Sequence, residues 1–360
     1  MSHVAIVAAG LEIIGGQGIQ ARILARELEA EGYRVTFVPI HPWLPRWLTG
    51  VRRIPILRTI VNQLVYLPSL RVLAQADVVH VFAASYWSFL LAPLPAVIVG
   101  RMLGKRVILN YHSGEADDHL AHWGILVHPW LPLAHEIVVP SQYLADVFAR
   151  YGYRTRVVRN VLDVSRFDFR ERSLSVPHLV STRNLEPYYR IDNTIRAFAI
   201  LRERFPLAKL TIVGEGSEAQ MLRALAGSLG GNGIRFVGRI DPEVLPRMLD
   251  EAELFVNSSV VDNQPLSVLE AFAAGLPVVS TPTGGIAELV REGETGHVVD
   301  PNDPPSMAAA IERLLRDPQR ARSMARQARQ ELEQYTWSRV REGWMVAYHG
   351  TTTCVELQAF

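Results

Sequence analysis

Asp262-Asn-Gln-Pro-Leu-Ser-Val-Leu-Glu270-Ala-Phe-Ala-Ala-Gly275-Leu-Pro277-Val-Val-Ser280 sets two carboxylates eight residues apart across the start of a helix. The polar run from Asn257 to Leu266 reads as a loop, and Ser267 to Ala274 reads as an apolar helix with Ser267 as its N-cap. Gly275 is the left-handed residue that would end this helix, and Pro277 turns the chain into a strand. Glu270 therefore falls one turn into the helix. Asp262 and the backbone from Asn263 to Ser267 lie at its positive end, where free N–H groups and aligned peptide dipoles attract anions. Ionised carboxylates only accept hydrogen bonds, which suits a ligand rich in hydroxyls. The combination fits a sugar attached to a phosphate.

Strand and helix patterns alternate on either side of this stretch. Strands are expected at Val4 to Ala8, Arg34 to Ile40, Val78 to Phe82, Arg106 to Tyr111, Glu136 to Pro140 and Thr155 to Val158. A second set follows at His178 to Ser181, Lys209 to Val213, Ile234 to Val237, Leu254 to Asn257, Val278 to Thr281 and Gly296 to Val299. Continuous apolar strands with crossover helices indicate parallel sheets covered on both faces. The expectation is α/β, two doubly wound Rossmann-like domains over 1–165 and 176–335 facing a cleft. A last segment, 336–360, carries large apolar side chains at helical spacing. Ligands of such sheets bind outside the carboxyl ends of the strands.

Composition narrows the functional classes. The chain has 360 residues, 49% of them apolar, and a net charge of +1, which gives no reason to expect nucleic acid as a partner. Cys354 is the single cysteine, so intrachain disulfides and Cys-based zinc sites are excluded. The chain opens directly on a strand without a charged leader, which predicts a cytoplasmic location. Val81 to Gly100 is uncharged and long enough to span a bilayer, but Pro93 and Pro95 divide it, and a soluble core is the better reading. Between Gly32 and Ala76 there is no acidic residue, yet there are Arg34, Arg46, Arg52, Arg53, Arg58 and Arg71. Within that stretch, residues 42–71 read either as a segment resting on an anionic membrane or as an insertion packed on the core.

Further motifs fall on predicted strand ends. Gly15-Gly16-Gln17-Gly18 precedes a helix and matches a dinucleotide fingerprint as Gly16 to Ala21, but the preceding turn is too long and the second strand ends without an acidic residue. Its glycines are either a flexible turn or backbone that approaches a phosphate. Arg183 follows the first strand of the second domain and Arg190 lies seven residues on, so both are candidates for neutralising a diphosphate. Gly214-Glu215-Gly216 closes another strand, and His112 stands at a strand end in the first domain. Thr281-Pro-Thr-Gly284-Gly285-Ile-Ala-Glu288 adds a further helix start near the same rim.

In this order the motifs resemble the retaining GT-B glycosyltransferases of family 4, over almost the whole chain. The resemblance implies that Glu270 binds the ribose of a nucleotide sugar. Asp262, Asn263, Gln264, Pro265, Leu266 and Ser267 would hold the donor sugar and Arg183 its diphosphate. Gly214 and Glu215 would belong to the same donor site. His112 would lie beside the reacting sugar, and Gly15 and Gly16 near the phosphates, which makes His112, Asp262 and Arg183 the catalytic candidates. Two departures stand out: Asp262 replaces the family's usual glutamate, and the lysine usual after the Arg183 position is missing, with Arg190 the candidate substitute.

The activity so implied is transfer with retention to a glycan or lipid-linked acceptor, with no metal and no cofactor besides the nucleotide-sugar donor. The last helix would cross back to the first domain and let the domains hinge. A sugar-nucleotide epimerase or phosphorylase, and a non-catalytic nucleotide-sugar-binding protein, remain as alternatives.

Overall fold

The computed structural model describes residues 2–10, 15–41 and 54–350. Cys354 and the segment 42–53, with Arg46, Arg52 and Arg53, lie outside the described residues. The chain divides into two compact units, Met1–Val161 with Trp337–Phe360, and Leu162–Thr336.

The first unit holds β1 (His3–Ala8), β2 (Arg34–Pro39), β3 (Val78–Ala83), β4 (Arg106–Tyr111), β5 (Glu136–Val139) and β6 (Arg156–Val157), in the order β2-β1-β3-β4-β5-β6. All five pairings are parallel. Because side chains alternate along a strand, each central strand feeds two cores. Ala5, Val7, Val79, Val81, Val107 and Leu109 face one, with Val97 and Phe148 from the covering helices. Val4, Ile6, Phe82 and Ile108 face the other, which Leu24 and Leu28 cover together with Val340, Trp344 and Tyr348 of the helix Trp337–His349. Gly343 of that helix lies so close to the sheet that an added Cβ would sit 3.0 Å from Val158.

The second unit holds β7 (His178–Thr182), β8 (Lys209–Val213), β9 (Ile234–Gly238), β10 (Leu254–Val256), β11 (Val278–Ser280) and β12 (His297–Val298), in the order β12-β11-β10-β7-β8-β9. These pairings are parallel as well. Leu179, Leu210, Ile212, Leu254 and Val256 pack against Ile195 and Phe198 of the helix Ile191–Arg204 and against Ile311 and Leu314 of the helix Pro304–Arg316. The helix Leu266–Ala273 is buried along its whole length. Arg172 braces its far end: the buried guanidinium donates to the carbonyls of Asp250, Ala252 and Ala274.

In each sheet the chain reverses its direction of winding at one place, between β1 and β3 in the first and between β7 and β10 in the second. A crevice opens outside the carboxyl ends of strands at such a point. No helix among the described residues is long and apolar enough to cross a membrane, and Val81 to Gly100 forms the end of β3 and two short helices, Tyr86–Leu91 and Pro93–Met102.

Trp344→Ala should open a cavity in the first unit, at a cost of about 3–5 kcal/mol. Hydrogen exchange should speed up at Ile6 and Ile108, while Leu210 and Ile212 of the second unit keep their protection.

Candidate active site

β7 and β10 end side by side at the reversal point of the second sheet. Arg183 is the first residue past β7. It is only 9% exposed, so its charge needs partners inside the protein. Its guanidinium pairs with the Asp262 carboxylate and donates to Ser267 Oγ at 2.8 Å. The Tyr189 ring lies beneath it, 4.1 Å from the guanidinium carbon. Among the described residues, its buried Nε–H has no acceptor. Burial raises the Asp262 carboxyl above its ordinary range, and Arg183 pulls it back down.

The expected helix is present, but it starts one residue earlier than read, with Pro265 rather than Ser267 at the N-cap. Proline has the required extended backbone there, φ −68° and ψ 122°, and lacks only an N–H that a helix start leaves unbonded anyway. Ser267 stands inside the first turn, with its hydroxyl taken by Arg183. At the other end Gly275 has φ +78°, the left-handed value expected of it, and no side chain would fit because a Cβ would lie 2.5 Å from the Arg170 carbonyl.

Glu270 is 7% exposed, and among the described residues no group donates a hydrogen bond to its carboxylate. Burial pushes this carboxyl up to about 7, against the opposing pull of Arg166 and Arg183. A buried acceptor of this kind is matched by a vicinal pair of hydroxyls.

The neighbouring loops explain several glycines. Gly214 has φ +145°, and a Cβ there would meet the Arg183 carbonyl oxygen at 2.1 Å. A Cβ on Gly216 would meet the Leu185 carbonyl at 2.3 Å. These two glycines let the chain leaving β8 pass against the Arg183 loop, while Glu215 between them is exposed and accepts Leu185 N–H through its backbone. Gly285 lies likewise against Asn263, with 2.5 Å between its would-be Cβ and that carbonyl. Gln264 is buried beside Asn263.

Arg190 is placed differently. It caps the helix Ile191–Arg204 in the left-handed region, φ 46°, and its guanidinium bonds Asp192, Asn193 and Asn302 instead of joining Arg183. Its carbonyl accepts from Ser258 Oγ at 2.6 Å. Sequence reasoning passed over Ser258 and its neighbours. Asn257, Ser258 and Ser259 are all buried, and they tie the end of β10 to Ser280, Thr281 and Thr194. Three small polar residues directly after an apolar strand were the available signal. Tyr189 gave none, since its contact with Arg183 is tertiary.

In the first unit, His112 follows β4 and donates its backbone N–H to the Ala83 carbonyl at 3.2 Å. Gln17 donates to the same carbonyl at 3.1 Å, so the start of the helix Gly16–Ala30, which Gly15 caps, and the His112 loop are anchored on one strand end. Among the described residues, nothing lies within 4 Å of a would-be Cβ on either glycine. The His112 ring stacks on Phe82 at 5.2 Å, and Phe82 stacks on His80 at 4.9 Å. Asn110 Nδ2 donates to His80 Nε2, so His80 Nδ1–H is left to donate to Tyr348 OH at 2.8 Å. Burial lowers the His112 pKa to about 4, which leaves a neutral imidazole at pH 7. Beside it is a recess of about 10 Å³ lined by Gln20, Asn110, Asn160 and Trp344 among others.

Two parallel-sheet units, the second with a buried ion pair at its strand reversal, make a doubly wound α/β protein, and its relatives say which kind. Residues 14–166 match the family described as Glycosyltransferase Family 4, and residues 167–331 the family described as Glycosyl transferases group 1. The chain belongs to the GT-B glycosyltransferases of the family 4 type. It is 30% identical over 286 residues to glycogen synthase of Mycobacterium tuberculosis, a match that covers 73% of this chain and 66% of that protein. In fold it is similar to sucrose-phosphate synthase from Thermosynechococcus elongatus, with TM-score 0.75 and 21% identity over 96% of this chain and 98% of that one. It is also similar to Anabaena HepE in complex with UDP-glucose, with TM-score 0.76 and 16% identity over 96% and 99%.

The raised Glu270 pKa has a consequence for stability. An unburied glutamate titrates near 4.5, so the folded state is penalised as pH rises from there through about 7. Glu270→Gln should therefore stabilise the ligand-free protein at pH 8, by up to roughly 3 kcal/mol. Urea midpoints should show the gain disappearing towards pH 5.

Proposed function

We propose that the chain transfers a sugar from a nucleoside-diphosphate donor to a glycan or lipid-linked acceptor, with retention at the anomeric carbon. The observation that carries this reading is the buried Arg183–Asp262–Ser267 contact one helical turn from the unpartnered Glu270 carboxylate. Glu270 would take the ribose hydroxyls. The diphosphate would displace Asp262 from Arg183 and use the free Nε–H, and the released Asp262 would then accept from a sugar hydroxyl. Arg183 and the backbone N–H groups of Leu266 and Ser267 at the helix start would stabilise the leaving diphosphate as its charge develops.

In the step itself the bond from the anomeric carbon to the diphosphate breaks, and the bond to the acceptor oxygen forms on the same face. The acceptor's proton passes to the departing phosphate oxygen. His112, being neutral, can accept a hydrogen bond from the reacting sugar without adding charge next to an oxocarbenium-like centre. The proposed reaction uses no metal and no resident cofactor, so EDTA should leave the rate unchanged.

A membrane role for part of the 42–71 segment fits the helix Pro55–Ser69. Ile56, Ile60, Leu64 and Leu67 lie on one face of it and are 75%, 50%, 69% and 47% exposed, while Tyr66 on the opposite side is buried. Unpaired apolar side chains on a helix without acidic residues suit an anionic lipid surface. This would place the enzyme at the inner face of the cytoplasmic membrane.

Two measurements test the proposal. In a thermal-shift screen against UDP, GDP, ADP, CMP and their sugar conjugates, one nucleotide family should raise the midpoint, and Glu270→Ala should abolish the shift. No shift with any of them would count against the donor site. The native chain should co-sediment with phosphatidylglycerol vesicles, and Ile60→Ser/Leu64→Ser should not. Absence of binding by the native chain would remove the membrane role.

A further inference from the structure

The first unit carries a second cluster that the donor chemistry leaves unused. It is built on the loops that follow β3 and β4, beginning three residues past Ala83 and three past His112. Tyr86 has φ +58°, a left-handed backbone that a bulky residue adopts only when its surroundings hold it there. What it positions is a set of rings. Trp123 meets Tyr86 edge-on at 5.6 Å and Trp87 at 5.3 Å with an interplanar angle of 88°, and Trp87 is 63% exposed.

Beneath the rings the polar groups are not all satisfied. Ser85 Oγ, Tyr111 OH and His119 Nδ1 form a buried chain of 2.8 Å hydrogen bonds. His119 Nε2, fully buried between Tyr86, Phe89 and Trp123, has no hydrogen-bond partner among the described residues. Glu115 is half-buried, and its carboxylate has no hydrogen bond or ion pair among the described residues. Burial raises its pKa, and Asp118 raises it further. Asp118 accepts from Tyr86 OH at 2.6 Å and pairs with His122, and as a carboxylate it has lone pairs to spare.

An exposed indole near the unpaired Glu115 carboxylate and the partly engaged Asp118 carboxylate matches one ligand chemistry, a sugar ring. The apolar C–H face of a pyranose lies on an aromatic plane, and its equatorial hydroxyls donate to carboxylates at the rim. An acyl chain would fill the aromatic face but leave Glu115 without a donor. We propose that Trp87, Trp123, Glu115 and Asp118 form a binding platform for a pyranose ring, and that the acceptor of this enzyme is therefore a saccharide. The word acceptor rests on the transferase reading; the platform itself does not.

The experiment uses the full chain and a panel of methyl pyranosides and disaccharides of glucose, galactose, mannose and N-acetylglucosamine. Saturation-transfer NMR and tryptophan fluorescence are read with and without a saturating nucleotide. At least one saccharide should bind. Trp87→Ala and Glu115→Gln should each weaken binding about tenfold, as expected when an interface aromatic or a hydrogen-bonded charge is removed. Trp87→Phe should restore most of the binding, and Glu270→Ala should leave it unchanged while losing the nucleotide shift. Binding indifferent to Trp87→Ala and Glu115→Gln, or no saccharide binding at all, overturns the proposal. A dimer that Trp87→Ala dissociates would give the aromatic face to a second copy and overturn it as well. Saccharide binding without any nucleotide shift would keep the platform and reject the transferase; a nucleotide shift without saccharide binding would do the reverse.

Discussion

The second unit is organised around a positive charge kept almost out of water. Arg183 has lost most of its hydration, and a buried guanidinium is tolerated only where an anion and hydrogen-bond acceptors replace the lost solvent. Asp262 and Ser267 supply them from the loop and helix after β10, which is why that helix begins where it does and why Ser267 does not cap it. The same demand reaches the neighbouring strand, since the Arg183 loop runs so close to the end of β8 that Gly214 can carry no side chain. The ion pair is expensive to keep dry and is left incomplete at Nε. A diphosphate offers that nitrogen a better partner than the structure does by itself.

Glu270 sits under the opposite constraint. It is an acid held where ionisation is unfavourable, and no protein donor relieves it. Arg183 and Glu270 thus each lack something that a nucleotide sugar has, phosphate oxygens for one and ribose hydroxyls for the other. In the proposed donor site, the cost of leaving these groups unmatched and the affinity for ligand would have the same source.

The fold was legible because parallel strands buried on both faces must be apolar along their length, and the segments around β1, β4, β8 and β10 are. The Asp262 to Ser280 stretch was legible because its signals are local, and the left-handed glycine at Gly275 and the helix before it are properties of a few adjacent residues. Long-range relations could not be read this way. Nothing near Ser267 announces that its hydroxyl belongs to an arginine 84 positions away, and nothing near Gly214 announces a carbonyl that forbids a Cβ. Arg190 shows the converse: it has the right charge at a suggestive spacing, but Asp192 and Asn302 claim it first. Tyr86 would have passed as an ordinary aromatic at the start of an apolar helix, because strain at one φ angle leaves no mark in composition.

The helix Trp337–His349 completes the core of the first unit through Trp344 and Tyr348, so residues from the two ends of the described chain share one hydrophobic interior. This reverses the usual order of assembly during synthesis. Domains generally fold as they emerge, earliest first. Here the ribosome has made every strand of the first sheet, and the whole of the second unit, before the helix that covers His80 and Phe82 exists. Until then the part of the first sheet's face around His80 and Phe82, beyond the cover given by Leu24 and Leu28, is open to water and to other chains. From the completion of β6 until that helix is added, the nascent chain carries its earlier half unfinished, the interval in which a chaperone or a misplaced neighbour would find it.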